Sequence, residues 1–141
     1  MSPYRFIDHT EDVAADLSGG SAPELFVSAA QALTDTLTDR SLVTAAVTER
    51  VELESGTLEE LLVDWLNELL YRFEVRNLLI DDAEVTIRAD GDRWRLDATV
   101  SGEPFDAARH PSRVLVKSAT YHALHLVERD GRWSGRIVFD I

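Results

Sequence analysis

The chain has 141 residues, 45% of them apolar and 28% charged, which suits one globular domain with its own buried core. It contains no cysteine, so disulfides and thiolate zinc sites are excluded. Fourteen basic residues against 26 acidic ones give a formal net charge of −12, and so acidic a surface repels phosphate backbones. We therefore expect one soluble, cytoplasmic domain over residues 1–141, with no strong nucleic-acid binding. Because the apolar runs are short and no signal-peptide pattern is found, we expect no membrane insertion.

The N-terminal third predicts two extended segments and a helix. Residues 4–8 are predicted to form a strand, and residues 13–17 form a second extended segment. Ser21 and Glu24 have the spacing of a capping box. Apolar residues at helical spacing then predict a helix that ends near Leu37.

A strand and the most clearly amphipathic helix of the chain follow. Apolar and polar residues alternate over residues 47–54, as in a half-buried strand. Thr57 and Glu60 form a second capping box, and a wide apolar stripe that includes Trp65 predicts a helix over residues 58–73. A stripe of this kind is typical of a core helix rather than of a cofactor pocket.

The C-terminal half predicts two hairpins, each with a glycine in its turn. The turns are Asp90–Gly91 and Asp130–Gly131, and alternating residues flank both of them. Between the hairpins we predict a polar connection over residues 102–111 and a short strand over residues 114–117. The predicted hairpin strands are 83–89, 94–100, 120–128 and 133–140. The order of elements predicts an α+β fold, with two main helices packed on a largely antiparallel β-sheet.

Acidic residues mark both ends of the chain. Asp8-His9-Thr10-Glu11-Asp12 follows the first strand, and Asp140 precedes Ile141, whose carboxylate a terminal strand would hold in place. Asp8 and Asp12 would lie ~13 Å apart in a continuous strand, so sharing an ion requires a bend or bulge. A solvated turn is the alternative for this acidic segment. If the ends meet, the carboxylates need a hard cation, a proton or a lysine, and oxygen ligands favour calcium, magnesium or manganese over zinc.

The histidines do not suggest a catalytic centre. His122 and His125 are three residues apart in a predicted strand, so we expect them on opposite faces, where they cannot share an ion. We expect His122 to be a packed or hydrogen-bonded core residue and His110 to lie in a loop. The sequence has no P-loop, dinucleotide-binding turn or nucleophile elbow. We therefore predict no catalytic residues.

Lysine usage singles out one residue. Lys117 is the only lysine, and the other thirteen basic residues are arginines. A genome rich in GC would explain the arginine bias but not why one lysine remains. Lys117 is therefore a candidate functional residue, with chance as the alternative.

Four segments of the chain together resemble the archease family. The segments are Asp8–Asp12, Leu61–Leu70, Val116–His122 and Val138–Ile141, which stand in the order of the family's motifs. The resemblance spans nearly the whole chain. The sequence departs from the family pattern at Glu11, where the family has alanine, and at Ser118, where alanine usually follows the lysine.

The resemblance implies a protein cofactor rather than an enzyme. Archeases activate RtcB-type RNA ligases, which join RNA ends in tRNA splicing, by promoting guanylylation of the ligase and its multiple turnover. GTP would be bound only through the ligase. The resemblance also implies a divalent cation, with calcium the first choice and magnesium or manganese as alternatives, held by Asp12, Asp140 and the carboxylate of Ile141.

We add the hypothesis that Lys117 lies near this acidic cluster and belongs, with Asp8 and His9, to a tip that activates the ligase. A plain surface ion pair is the alternative for Lys117. Two other functions stay open at this point, namely a metal-dependent phosphatase or nuclease and a chaperone-like binding module. The first needs a general base and an open metal position, and the second needs a large exposed apolar patch.

Overall fold

The computed structural model describes residues 3–7 and 12–141, in which seven strands and two α-helices form an α+β fold. The strands are β1 (Tyr4–Ile7), β2 (Asp12–Gly19), β3 (Val47–Ser55), β4 (Leu78–Asp90), β5 (Arg93–Pro104), β6 (Ser118–Arg129) and β7 (Arg132–Asp140). The helices are α1 (Ala22–Leu37) and α2 (Leu58–Arg76), and one 3-10 turn spans Arg40–Leu42. Neither α-helix is long and apolar enough to cross a membrane.

The strands form two antiparallel sheets rather than the single sheet predicted. One sheet has the order β1-β2-β7-β6, and the other has the order β3-β5-β4. Helix α1 packs against β2 and β4, and α2 packs against β3 and β6, so each helix contacts both sheets. The predicted α+β class is confirmed.

The predicted core helix is confirmed by the environment of Trp65. The indole is fully buried, and its Nε1–H donates to the carbonyl of Phe26 at 2.9 Å. Because a buried indole N–H needs an acceptor, this bond fixes α2 against α1 while satisfying the ring. The apolar stripe of α2 therefore belongs to the core.

Both helices begin at the predicted caps. Ser21 Oγ accepts from the N–H of Glu24 at 3.2 Å, and Thr57 Oγ1 accepts from the N–H of Glu60 at 3.1 Å. The carboxylate of Glu24 reaches back to the N–H of Gly20 at 2.6 Å, one residue before the cap. Both capping boxes therefore mark the helix starts correctly.

The predicted strand over residues 114–117 is wrong. Residues 111–117 form no regular element, and β6 begins only at Ser118. The N–H groups of Arg113 and Val114 donate to carbonyls at the end of α1, at 3.0 and 3.2 Å. The last carbonyls of a helix have no partner within the helix, so they bind this segment in place of a neighbouring strand.

The prediction for His122 is also wrong, because its side chain is exposed. The pairing of β6 with β7 shifts register between Thr120 and His125, and Ala123 within this bulge has a φ of 53°. Strict alternation of faces does not hold across a bulge. Strand alternation therefore does not support the prediction that His122 and His125 lie on opposite faces.

The predicted polar connection over residues 102–111 is partly wrong, since β5 continues to Pro104. Glu103 on this strand is only 6% exposed. Its carboxylate accepts from the N–H of Thr44 at 2.6 Å and from Nη2 of Arg109 at 3.0 Å. A buried carboxylate is stable when its oxygens are paired in this way.

His110 lies outside the regular elements, as predicted, but it is fully buried. Its Nδ1 accepts from the N–H of Asp106 at 2.9 Å, so the ring proton sits on Nε2. Nε2 lies 3.3 Å from a carboxylate oxygen of Glu103 and donates to it. This network ties the end of β5 to the segment that leads to β6.

We predict that Gly102→Ala strongly destabilises the protein. Gly102 faces the bulge of β4, where an added Cβ would lie 1.8 Å from the carbonyl oxygen of Leu79. Because the obstacle is backbone, the free energy of unfolding should fall by about 3 kcal/mol. Urea denaturation measures the change, and Thr99→Ala, an exposed site on the same strand, is the control. Equal losses in the two variants would contradict the prediction.

We predict that Glu103→Gln lowers stability at neutral pH but not in strong acid. The Arg109 guanidinium, followed by hydrogen bonds from Thr44 and His110, lowers the pKa of Glu103 to about 2. A carboxyl group with a lowered pKa stabilises the fold above its unfolded pKa, which is near 4.5, and this stability is lost as the pH falls towards 2.

The expected loss for Glu103→Gln at pH 7 is about 2 kcal/mol, the value of a charge-assisted hydrogen bond to a buried group. Denaturant unfolding at pH 7, 4 and 2.5 should show the difference from wild type shrinking with acidity. Glu84→Gln, at an exposed site on β4, is the matched control. A pH-independent difference for Glu103→Gln would show that the carboxylate charge is not the cause.

Candidate acidic site where the chain ends meet

The two acidic ends of the chain meet in the four-stranded sheet. Strands β2 and β7 pair so that Asp12 lies directly opposite Asp140. On the other side of β7, Ser118 of β6 lies opposite Asp140. Opposed residues of an antiparallel pair share a face, with Cβ atoms about 4.5–5.5 Å apart. Asp12, Asp140 and Ser118 therefore form one row across three strands, which we call the acidic row.

The acidic row faces away from the core because the neighbouring row of residues is buried. Val13, Phe139 and Ala119 lie opposite one another one residue further along, and they pack in or against the hydrophobic core. Phe139 is fully buried. Because side chains alternate along a strand, burial of this row directs the acidic row to the opposite face.

The acidic row places like charges next to each other. Asp140 is exposed and Asp12 is half-buried, so the pair is only partly screened by water. Like charges directly opposite each other destabilise a sheet. Two carboxylates and a neighbouring hydroxyl are hard oxygen donors, which fit calcium, magnesium or manganese.

A second cross-strand pair on the same strands provides a contrast. Asp16 lies opposite Arg136, and Arg136 Nε donates to its carboxylate at 2.8 Å. This bond, with a smaller contribution from Arg5, lowers the pKa of the Asp16 carboxyl group. The sheet therefore places a guanidinium opposite Asp16 but a second carboxylate, that of Asp140, opposite Asp12.

Lys117 is brought to the acidic row by its backbone. Its N–H donates to the carbonyl of Asp140 at 2.8 Å, and its side chain is exposed. Ser118, the next residue, belongs to the acidic row itself. The main chain at Lys117 is thus fixed beside Asp140.

Helix α2 supplies a contact that sequence reasoning missed. Oδ1 of Asn67 accepts from the N–H of Ala119 at 2.8 Å, and Nδ2 of Asn67 donates to the carbonyl of Ala119 at 3.2 Å. We call this pair of bonds the Asn67 clamp. A polar residue on the hydrophilic side of a helix gives no signal for such a contact, since it looks like any solvated position.

Of the predicted site residues, the structure brings Asp12, Asp140 and the backbone of Lys117 together. Ile141 follows directly and packs half-buried against the core. Asp8 and His9 lie outside the described residues. Within residues 3–7 and 12–141, no group of three or more Asp, Glu or His side chains is arranged to hold a metal. The predicted ligand set has only two side chains, with the carboxylate of Ile141 as the third ligand, and it stays a prediction.

Comparison with known proteins gives consistent matches over the full chain. The model of the Archease protein family (MTH1598/TM1083) matches residues 4–141. A "Protein archease" from Methanopyrus kandleri is 37% identical over 139 residues, which cover 99% of this chain and 99% of the relative. A "Protein archease" from Methanosarcina mazei is 35% identical over 139 residues, which cover 98% of this chain and 95% of the relative.

Two solved structures share the fold. The solution structure of Methanobacterium thermoautotrophicum protein 1598 has a TM-score of 0.82 at 33% identity and covers 100% of both chains. The crystal structure of an archease, possible chaperone, from Thermotoga maritima has a TM-score of 0.59 at 21% identity. It covers 96% of this chain and 94% of that chain, and at this identity it supports the fold alone. Because the family model and the relatives match over nearly the full chain, this chain belongs to the archease family.

Proposed function

We propose that this protein is a non-enzymatic activator of an RtcB-type RNA ligase, which it serves by promoting guanylylation and multiple turnover. The observation that carries the proposal is the register that places Asp12 opposite Asp140 with the backbone of Lys117 beside them. Family membership supplies the partner class. GTP is bound through the ligase, and the protein acts in the cytoplasm.

The proposed cofactor is a divalent cation, calcium in the first place. Asp12, Asp140 and the carboxylate of Ile141 would hold it, in agreement with the resemblance to the family. The bound cation would be the largest local charge at the acidic row and would attract both carboxylates. The protein's own contribution is the sheet register, which fixes both side chains on one face.

The charge distribution supports an activator that leaves RNA binding to its partner. The net charge is −12, and most arginines are held in ion pairs within the described residues. The paired arginines are Arg5, Arg40, Arg50, Arg72, Arg76, Arg93, Arg95, Arg109, Arg113 and Arg136. Arginines engaged with carboxylates are poor phosphate ligands, so direct RNA binding is not expected.

We predict that wild-type protein stimulates multiple-turnover RNA ligation by a cognate RtcB-type ligase with GTP and manganese. Asp12→Asn, Asp140→Asn and Lys117→Ala should each reduce the stimulation about tenfold or more, the factor for losing one charge-assisted contact. Asp90→Asn and Arg88→Ala change charge at exposed sites on the three-stranded sheet and are the matched controls.

The outcomes of this assay separate the competing functions. No stimulation by wild type would refute the activator role. Metal-stimulated phosphatase or nuclease activity in the isolated protein would instead favour the hydrolase. Suppression of aggregation of unrelated proteins, unaffected by the three variants, would favour a chaperone-like module.

We predict that calcium stabilises the wild type and that Asp140→Asn removes most of this stabilisation. At a calcium concentration 100 times the dissociation constant, the free energy of unfolding should rise by about 2.7 kcal/mol. In Asp140→Asn, which lacks one of the carboxylate ligands, the same calcium concentration should raise it by much less. Thermal unfolding with calcium, magnesium or manganese, and with EDTA, measures both effects. If none of the three ions changes the midpoint, the cation site is refuted.

A further inference from the structure

The strand that follows Lys117 has an open edge at the acidic row. Among the strands formed by residues 3–7 and 12–141, β6 is the last of its sheet, with β7 on one side and no strand on the other. In an antiparallel pair, the N–H and C=O of every second residue point away from the partner strand. The N–H and C=O of Ala119 both bind the side chain of Asn67, so they point away from β7. An outward pair of this kind is otherwise left to water or to another chain.

The Asn67 clamp takes the place of the missing strand. Nδ2 of Asn67 donates to the carbonyl of Ala119 at 3.2 Å, and Oδ1 of Asn67 accepts from the N–H of Ala119 at 2.8 Å. A neighbouring strand would make the same two bonds. Ala119 is 5% exposed and Asn67 is half-buried, so competition from water is limited. The clamp is therefore a strong local constraint on β6.

The segment needs such a constraint because both of its flanks are irregular. Residues 111–117 have no regular structure, and the register of β6 against β7 is lost between Thr120 and His125. Regular pairing at this end of β6 is thus limited to residues 118–120. The clamp binds the middle residue of these three, two positions after Lys117.

Asparagine at position 67 lowers the helix propensity of α2, and the Asn67 clamp explains why it is there. Asparagine is a weaker helix former than alanine, leucine or glutamate, and this position is in the interior of a helix of 19 residues. Its amide matches both groups of one peptide backbone position, which neither a carboxylate nor an aliphatic side chain can do. The choice of asparagine therefore points to the contact with Ala119 rather than to the helix.

We propose that Asn67 is a positioning residue that holds the backbone of Lys117 against Asp140. It acts through Ala119, touches neither a cation nor a partner, and couples helix α2 to the acidic row. The link to ligase activation rests on the function proposed above, but the positioning itself does not. Loss of the clamp frees the edge of β6 while leaving the core helix intact.

The single lysine allows a direct test. Labelling with ¹⁵N-lysine gives one backbone amide resonance, that of Lys117, whose hydrogen bond to Asp140 protects it from exchange. Asn67→Ala should speed its hydrogen exchange about tenfold, because two hydrogen bonds that limit local opening are lost. Alanine favours the helix, so the variant folds.

The control is Thr34→Val, which removes another side-chain bond between a helix and a strand. Thr34 Oγ1 donates to the carbonyl of Ile80 at 2.7 Å, in the other sheet. This variant should leave the exchange of the Lys117 amide within about twofold of wild type, since opening there is local. Unchanged exchange in Asn67→Ala, or equal acceleration in both variants, would overturn the positioning role.

A second readout connects the clamp to ligation. Asn67→Ala should lower ligase stimulation in the wild-type background but add no further loss in the Lys117→Ala background, because both changes disable one unit. Independent losses that multiply would overturn the coupling to Lys117. If wild type itself gives no stimulation, the proposed function fails, whereas the exchange experiment still decides whether Asn67 positions Lys117.

Discussion

The pairing of β2 with β7 is the constraint on which the candidate site depends. Its register runs without a shift from Asp12 opposite Asp140 to Gly19 opposite Trp133, so the position of one acidic end determines the position of the other. Slipping by one residue would turn Phe139 out of the core and the acidic residues into it. Burial of Phe139 thus enforces the placement of the carboxylates.

The register of β2 against β7 gives the two faces of the sheet different chemistry. The core face gains from burial of Val13, Phe139 and Ala119, whereas the acidic row places the carboxylates of Asp12 and Asp140 opposite each other. The same strands pair Asp16 with Arg136, which shows that a matched pair is compatible with this geometry. The acidic row instead brings two carboxylates to one face, a donor set that fits a hard cation.

The sequence predicts the parts of this protein that depend on local rules. Caps at Ser21 and Thr57 mark the helices, and positive φ values at Gly91 and Gly131 confirm the hairpin turns. The meeting of the acidic ends follows from the pairing of β2 with β7, which local sequence patterns do not predict. The strand predicted over residues 114–117 is wrong because the N–H groups of Arg113 and Val114 bind the end of α1, more than 70 residues earlier in the chain. Such a partner leaves no periodic pattern to detect.

The missed contacts share one physical feature. Glu103 and Asn67 are polar residues whose hydrogen bonds go to backbone groups outside their own element, at Thr44 and Ala119. Each holds one end of the irregular connection between β5 and β6, Glu103 just before it and Asn67, through Ala119, just after it. Apolar burial fixes this connection only in part, because Val116 is buried in the core whereas Leu115 is 81% exposed. Burial of Val116 therefore acts with the hydrogen bonds of Asn67 and Asp140 to fix the position of Lys117.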